Sequence, residues 1–182
     1  MARNNRMQDR EEKRNIIISA AHELFLTQGY EATAMSKLAT MAGIAPNTIY
    51  WYFKDKDDVL VAVLNAELSA RMAEYLQCLL TDRTERLLWI VKQLELASRL
   101  VSTVHARLQL SPVINAWHDR FHELTESMIR FEMQQTGIAP QSAEALVKIW
   151  VFTLEGLLAH QMTDNQKREI CTALTLTLAP QT

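Results

Sequence analysis

The sequence predicts an all-α protein in which a small N-terminal three-helix unit precedes a larger helical domain. The chain of 182 residues contains only four glycines and four prolines, so long stretches are free of helix breakers. Within these stretches apolar residues recur at i, i+3, i+4 and i+7, which is the spacing of one helix face. The length is sufficient for one large domain or two small ones.

Three short helices are predicted in the first 53 residues. The first runs from about Arg10 to Gln28 and ends at Gly29, where a residue free to adopt positive φ suits a helix C-terminus. Thr33 is the expected N-cap of the second helix, because its hydroxyl can accept an unpaired backbone N–H. Gly43 ends that helix, and Pro46 suits the first turn of the third.

The rest of the chain predicts five longer helices. They are expected from about Lys56 to Leu80, from Arg83 to Leu110, from Val113 to Gln135, from Pro140 to His160, and from Thr163 or Asp164 to Leu178. Asp55 and Asp58 offer a cap and an acidic first turn for the first of these. We expect an N-terminal domain over residues 1–56 and a C-terminal domain over 57–182.

Composition favours a cytoplasmic protein without a metal or disulfide framework. No apolar run reaches the ~18–20 residues of a membrane span, and Met1 to Arg14 lack the apolar stretch of a signal peptide. Cys78 and Cys171 have no paired spacing, which indicates reduced thiols. His118 and His122 lie four apart, but no third ligand follows at a recognisable spacing, so no metal is expected. The net charge of −2 gives no indication of nucleic acid.

Residues 29–60 carry the informative pattern, two short helices joined by a tight turn at Gly43. This arrangement predicts a helix-turn-helix, whose second helix fits the ~12 Å major groove of DNA. Ile49 and Phe53, four apart, would face inward. The four aromatic residues at 50–53 point all round a helix axis, so some must be exposed. A helix-turn-helix that never contacts DNA, or an aromatic-rich core helix, is the alternative that this pattern leaves open.

The segment from about Ile17 to Leu64 resembles the DNA-binding domain of the TetR family of transcriptional regulators. The matching features are Ala20-Ala21, Leu24-Phe25, Gly29-Tyr30, Thr33, Leu38-Ala39, Ala42-Gly43-Ile44, the run from Thr48 to Lys56 (TIYWYFKDK) and Leu60. They cover about a quarter of the chain. Two departures are Ala45, where family members often have a capping serine, and Pro46, where a lysine is common.

The resemblance implies base or thymine contacts from Asn47, Thr48 and Tyr50. It implies phosphate contacts from Tyr52, from Lys56 and from the start of the second helix, where backbone N–H groups face the sugar-phosphate chain. The predicted DNA-contacting residues are Thr33, Ser36, Lys37, Pro46, Asn47, Thr48, Tyr50, Trp51, Tyr52 and Lys56.

The resemblance also implies that the C-terminal domain forms a homodimer and binds a small effector. The helix from Pro140 is apolar on more than one side, which favours burial against a partner as well as its own domain. The predicted dimer interface comprises Trp150, Gly156, Leu157 and His160. The candidate effector pocket comprises Trp89, His105, Trp117, Phe121, Met128 and Trp150, and its aromatic character predicts an apolar or aromatic ligand.

The expected function is ligand-responsive regulation of transcription, most simply repression, by a dimer bound to a palindromic DNA operator and released by the effector. The sequence has no nucleophile–base pair, no glycine-rich phosphate loop and no metal motif, so no enzyme is expected. The alternatives are a helical protein-binding adaptor, or a small-molecule binding protein with a vestigial helix-turn-helix.

Overall fold

A computed structural model of the chain describes residues 2–77, 82–135 and 140–178. Every regular element in these ranges is helical. The α-helices are α1 (Ala2–Thr27), α2 (Met35–Met41), α3 (Lys56–Gln77), α4 (Arg83–Leu96), α5 (Ser98–Arg107), α6 (Pro112–Gln135), α7 (Pro140–Ala159) and α8 (Asp164–Leu176). A 3₁₀ helix, Pro46–Trp51, lies between α2 and α3. The sequence also predicts that Gly137 ends the helix from Val113, but Gly137 lies outside the described residues.

The chain forms two compact units. Unit 1 comprises residues 1–77 and 99–117, and unit 2 comprises residues 78–98 and 118–182. Each compact unit is therefore made of two separate segments of the sequence, and the segments of the two units alternate along the chain. A functional boundary between residues 56 and 57 stays a prediction.

Unit 1 is built around the packing of α1 against α2 and α3. Its fully buried side chains come from each of these helices and from the 3₁₀ helix, and they include Ile17, Phe25, Leu38, Ile49, Val59, Leu60 and Val63. Gly29 and Gly43 adopt φ values of +87° and +68°, as expected for helix C-termini. Asp55 Oδ1 accepts the backbone N–H of Asp58 at 2.9 Å, which confirms the predicted cap at the start of α3.

The predicted cap of α2 is wrong. Ala34 occupies the N-cap position, with extended backbone and no side-chain cap. Thr33 is instead fully buried, and its hydroxyl donates to the Gly29 carbonyl at 2.8 Å. A hydroxyl that bonds backward to the end of α1 closes the loop between the two helices, so it is not available to the N–H groups of α2.

The single helix expected from Arg83 to Leu110 is two helices, α4 and α5, separated at Ala97. Leu87 and Val91 are buried in α4, whereas Leu100 and Val104 are buried in α5. The step of nine positions from Val91 to Leu100 corresponds to about two and a half turns, so one straight helix would carry the two pairs on opposite faces. The interruption lets each pair enter the core of its own unit.

Unit 2 has a core formed by α4, α6, α7 and α8. Its buried residues are Leu87, Val91, Met133, Val147, Trp150, Leu157, Cys171, Leu174 and Leu178. The first turn of α8 has the predicted cap: Thr163 and Gln166 form a reciprocal capping box. Cys171 is a buried free thiol, and burial raises its pKa. Cys78 lies outside the described residues. None of the described helices has the length and apolar character needed to cross a membrane.

Candidate nucleic-acid interface

The recognition segment, Pro46–Trp51, is a 3₁₀ helix rather than the α-helix that was expected. Its backbone bonds are short-range: the N–H of Thr48 donates to the Ala45 carbonyl at 2.9 Å, and that of Tyr52 donates to Ile49 at 3.0 Å. Ala45 caps the segment through its backbone alone. Five of the twelve residues from Pro46 to Asp57 are aromatic or proline, and Thr48 and Ile49 are β-branched. Aromatic and β-branched side chains lose rotamer freedom in an α-helix, so this composition favours a short 3₁₀ helix over a long α-helix.

Burial divides the segment into two faces. Ile49 is fully buried and Phe53 is 4% exposed, so both anchor the segment to unit 1. Tyr50 and Trp51, in contrast, are 55% and 75% exposed. Asn47 is also exposed. The aromatic run therefore has the divided orientation that the sequence predicts, with large side chains presented outward on a fixed backbone.

The turn before the segment holds it against α2. Gly43, in the left-handed region, allows the Ile44 N–H to reach the Ala39 carbonyl at 3.0 Å, while the Ala42 N–H donates to Leu38 at 2.9 Å. Two carbonyls at the end of α2 are thereby satisfied within a sharp reversal. The two short helices consequently form a helix-turn-helix.

The other predicted contact residues have different surroundings. Pro46, Ser36 and Lys37 are exposed, and Thr48 and Tyr52 are half-buried. The Lys37 ammonium group donates to the side chain of Gln28. Thr33, as described above, is enclosed between α1 and α2.

Lys56 is engaged within unit 1. Its ammonium group donates to the Tyr30 carbonyl at 2.8 Å and lies 4.1 Å from the centroid of the Tyr30 ring. Burial lowers the pKa of Lys56, against the opposing attraction of Glu31. Lys54, two residues earlier, is exposed. The resemblance implied a phosphate contact from Lys56 and none from Lys54. The bond from Lys56 to Tyr30 depends on the folded loop, so the sequence alone could not predict it.

Two arginines of α1 also lie at the recognition segment. The Arg10 guanidinium group donates to the Trp51 carbonyl at 3.4 Å, and that of Arg14 lies 5.3 Å from the centroid of the Phe53 ring. Arg10 is not among the DNA-contacting residues predicted from the sequence. Because α1 begins at Ala2, the helix itself carries these positive charges to the end of the recognition segment.

Behind this surface, α5 is fastened to the start of α3. The Arg107 guanidinium group donates from Nε and Nη2 to the two carboxylate oxygens of Asp57, at 2.8 and 3.0 Å. The Tyr30 hydroxyl donates to the same carboxylate, and Arg107 lies 4.8 Å from the Tyr30 ring centroid. Such a bidentate pair has a defined geometry as well as a favourable charge. Asp57, Tyr30 and Arg107 therefore hold three elements of unit 1 together.

The ionisation of this cluster follows from its bonds. Burial opposes the charge on Asp57, but hydrogen bonds from Arg107, Tyr30 and Ser111 together outweigh it and lower the pKa of Asp57. Burial, followed by the bond to Asp57, raises the pKa of Tyr30. The carboxylate thus remains charged and the phenol remains neutral at physiological pH.

Residues 17–63 match the profile of bacterial regulatory proteins of the tetR family. This match covers the helix-turn-helix and its supporting helices. This N-terminal segment is therefore of the tetR type. Residues 17–63 thus form a TetR-type DNA-binding domain, with Tyr50 and Trp51 on its exposed recognition segment.

Known TetR-type regulators share this domain with the chain. The regulator HbdR from Aromatoleum is 48% identical over 54 residues, which are 30% of this chain and 24% of that protein. The fatty acid metabolism regulator protein of Bacillus subtilis is 42% identical over 52 residues, 29% of this chain and 27% of that protein. The matched part therefore spans about a quarter of the length of these relatives.

The likeness in three dimensions extends over the C-terminal helices. The fatty acid degradation regulator FadR from Bacillus halodurans has a TM-score of 0.61 at 25% identity, with 91% of this chain and 94% of that one covered. The all-α TetR architecture, a helix-turn-helix domain followed by further helices, is thereby confirmed.

The six effector-pocket candidates are divided between the two units. His105 and Trp117 belong to unit 1, where the Trp117 indole donates to Asn65 Oδ1 at 2.9 Å. Trp150 is buried in the core of unit 2, and its indole donates to Thr177 at 3.1 Å. The remaining three, Trp89, Phe121 and Met128, are half-buried residues of unit 2. The location of a pocket stays a prediction.

The predicted dimer residues, which lie on α7 or directly after it at His160, are of two kinds. Trp150 and Leu157 pack inside their own unit, at 7% and 3% exposure, so their side chains are not part of a free surface. Gly156 is half-buried, and His160 is exposed. The sequence did not single out Ile149 and Phe152, which are 50% and 66% exposed. Hydropathy alone could not separate these α7 residues, since all lie on an apolar helix.

Proposed function

We propose that the chain is a transcriptional regulator that binds a palindromic DNA operator as a homodimer, most simply as a repressor. The observation that carries this proposal is the division of the recognition segment: Ile49 and Phe53 are buried, while Asn47, Tyr50 and Trp51 are exposed. An exposed amide and two exposed aromatic rings on a fixed backbone suit base edges and phosphates.

The proposed base contacts come from the start and middle of the segment. Asn47 can pair with an adenine edge, and Tyr50 can pack on a thymine methyl group or reach a phosphate. The proposed phosphate contacts use Lys54 and Arg10 at the segment's end, together with Ser36 and Lys37 on α2. Thr33 and Lys56 are left out, because Thr33 is fully buried and the half-buried Lys56 ammonium group is held by both the carbonyl and the ring of Tyr30.

The proposed dimer uses an apolar strip on α7, consisting of Ala145, Ile149, Phe152, Gly156 and Ala159. Their spacing alternates between four and three residues, which is the seam spacing of packed helices. Ile149 and Phe152 supply exposed apolar area, and Gly156 permits close approach. A twofold dimer would present two recognition segments to half-sites ~34 Å apart, or to a multiple of this spacing.

The proposed effector is an apolar molecule bound by the C-terminal helices. Two proteins similar to this chain are named as regulators of fatty acid metabolism and degradation, so fatty acids are the first class to test. The coupling route we propose is α5, because its Arg99 donates to the Leu26 carbonyl at 2.7 Å and its Arg107 binds Asp57. A displacement of α5 would then move the ends of α1 and α3 that support the recognition segment. By linkage, operator binding would weaken effector binding equally.

The experiment that tests the proposal is fluorescence anisotropy with duplexes tiled from the region upstream of the protein's own gene. We expect saturable, salt-sensitive binding to one palindromic duplex by the wild type. Tyr50→Ala should abolish the preference for that duplex over random DNA. Leu76→Ala is the matched control, because Leu76 is an exposed apolar residue of the same unit on α3, at 75% exposure.

The outcomes separate this proposal from its rivals. If Tyr50→Ala retained the preference, the recognition segment would not be the reading surface. Absence of even non-specific binding at low salt would favour the protein-binding adaptor. Unchanged operator affinity in the presence of fatty acids shown to bind would refute only the effector part of the proposal.

A further inference from the structure

Two histidines meet on one face of α6. His118 and His122, four residues apart, have Nε2 atoms 3.1 Å from each other and ring centroids 4.3 Å apart. From α7, Glu155 brings Oε1 to 3.6 Å from Nε2 of His122. All three residues belong to unit 2. His122 is 24% exposed and Glu155 is 43% exposed, so solutes can reach the cluster.

The spacing of the two ring nitrogens suits a shared metal ion. Two imidazole nitrogens bound at ~2.05 Å to one tetrahedral ion lie ~3.3 Å apart. The observed 3.1 Å separation therefore needs a shift of only a few tenths of an ångström. In the metal-free pair, one Nε2 carries the proton and donates it to the other. Metal binding would move that proton to Nδ1 of the same ring and leave both Nε2 lone pairs for the ion.

The geometry points to His118 and His122 as a binding site for a divalent transition metal, with Glu155 as a third ligand. In the described part of the chain, no three His, Cys, Asp or Glu side chains are already arranged to hold an ion. Glu155 must therefore turn toward the pair, and water would complete the shell. Imidazole with one carboxylate selects Zn²⁺, Ni²⁺ or Cu²⁺ over Mg²⁺ and Ca²⁺.

The folded structure brings a third candidate ligand to the two histidines, which the sequence spacing did not show. Glu155 comes from a different helix, so no local motif identifies it as a partner of His118 and His122. A bound ion would join α6 to α7 at Glu155, the residue before Gly156 of the strip proposed for dimerisation. This inference concerns metal binding by unit 2 and does not depend on the proposed regulatory function.

The test is a calorimetric titration of the full-length protein with ZnCl₂ in the absence of DNA. We expect one saturable site per chain in the wild type. His118→Gln and His122→Gln should each weaken it by more than the roughly 10–100-fold that loss of an outer-shell partner costs. Glu155→Gln should weaken it by at least about tenfold. The matched control is His22→Gln, because His22 bonds to Glu67 at 3.1 Å in the same way but has no second histidine in that contact.

Circular dichroism of each variant establishes that it is folded before the titration is interpreted. Binding that persists undiminished in both the His118 and the His122 variants would overturn the proposal, as would a wild type that binds no Zn²⁺ at neutral pH. Loss of binding in His22→Gln alone would place the site elsewhere. Unchanged affinity in Glu155→Gln would overturn its assignment as third ligand.

Discussion

At the end of the recognition segment, two neighbouring lysines have different surroundings. Lys56 bonds to the Tyr30 carbonyl and lies over the Tyr30 ring, whereas Lys54 is exposed. An ammonium group that already has a partner must lose it before it can neutralise a phosphate. The exposed lysine has no such cost, so we assign the phosphate contact to Lys54.

This assignment predicts different salt dependences for two alanine variants. Lys54→Ala should lower the slope of log affinity against log salt by about 2, because the homodimer then neutralises one phosphate fewer at each half-site. Lys56→Ala should leave the slope unchanged and instead lower the melting temperature. Anisotropy titrations at several salt concentrations, paired with thermal unfolding, measure both quantities. Equal slopes for the two variants, or a reduced slope for Lys56→Ala alone, would contradict the assignment.

Asp57 carries a second residue-level prediction, which concerns pH. Its pKa is lowered in the folded protein, so its contribution to stability is present above the unfolded pKa of about 3.9 and is lost as pH falls through the folded value. Asp57→Asn removes the charge that holds Arg107. We expect it to cost about 1.5–3 kcal/mol of unfolding free energy at neutral pH.

Urea unfolding at neutral pH and below pH 4 measures this difference. The gap between wild type and Asp57→Asn should narrow at the lower pH, because the wild-type carboxylate then becomes protonated too. Asp9→Asn, at an exposed position on α1, serves as the control and should change little at either pH. A gap that stayed constant with pH would show that the carboxylate charge contributes nothing.

At the level of elements, helix ends are predictable from the sequence where a residue type with a special backbone preference or a capping side chain occupies them. Helix ends that depend on packing between helices are not. Gly29, Gly43, Asp55 and Thr163 mark helix ends through φ or capping, and each has the predicted role. The break at Ala97 has no such residue. The break is indicated only by the burial of both Val91 and Leu100, whose side chains would point in opposite directions from one continuous helix. Which residues are buried is known only from the folded structure.

The same limit applies to the site. The division of the aromatic run was predictable, because side chains at consecutive positions cannot all be buried. Thr33 was misassigned because a threonine before a helix can bond forward to N–H groups or backward to a carbonyl. The choice of Gly29 as acceptor depends on how α1 and α2 pack. His118, His122 and Glu155 similarly come together only through the contact between α6 and α7.

Substituting alanine for two glycines, Gly43 and Gly156, should change the free energy of unfolding in opposite directions. Gly43 has φ +68° and nothing within 4 Å of an added Cβ, so Gly43→Ala should cost roughly 1–2 kcal/mol through backbone strain alone. Gly156 lies within α7 and also has nothing within 4 Å of an added Cβ. Gly156→Ala should therefore stabilise the isolated chain by about 0.5–1 kcal/mol, since glycine disfavours a helix interior.

The midpoints of urea unfolding, measured at low protein concentration, test both the predicted loss of stability in Gly43→Ala and the predicted gain in Gly156→Ala. If Gly43→Ala were as stable as the wild type, the tight turn would not require its left-handed conformation. The result for Gly156→Ala also bears on assembly: a variant that is stabilised as a monomer but dimerises more weakly would indicate close helix approach at this position. Destabilisation of the monomer would instead mean that α7 has a neighbour at Gly156 within the chain.

For the whole molecule, the proposed function depends on joining two recognition segments. One helix-turn-helix makes few base contacts, and a dimer gains affinity because the second half-site binds without a further loss of translational freedom. Phe152 is 66% exposed at the centre of the α7 strip. A large apolar side chain in that position is stabilised when a partner covers it, whereas a buried lysine would lack a partner for its charge.

Phe152→Lys should therefore raise the dimer dissociation constant by at least about tenfold, equivalent to 1.4 kcal/mol. Operator affinity should fall with it, while the helical content remains that of the wild type. Sedimentation velocity over a range of protein concentrations measures the first quantity, and anisotropy with the palindromic duplex measures the second. Leu110→Lys is the control, because Leu110 is 70% exposed but belongs to unit 1. If both variants remained dimeric, the interface would lie outside the α7 strip. If Phe152→Lys became monomeric and still bound the full palindrome as tightly as the wild type, dimerisation would not be needed to bring two recognition segments to the operator.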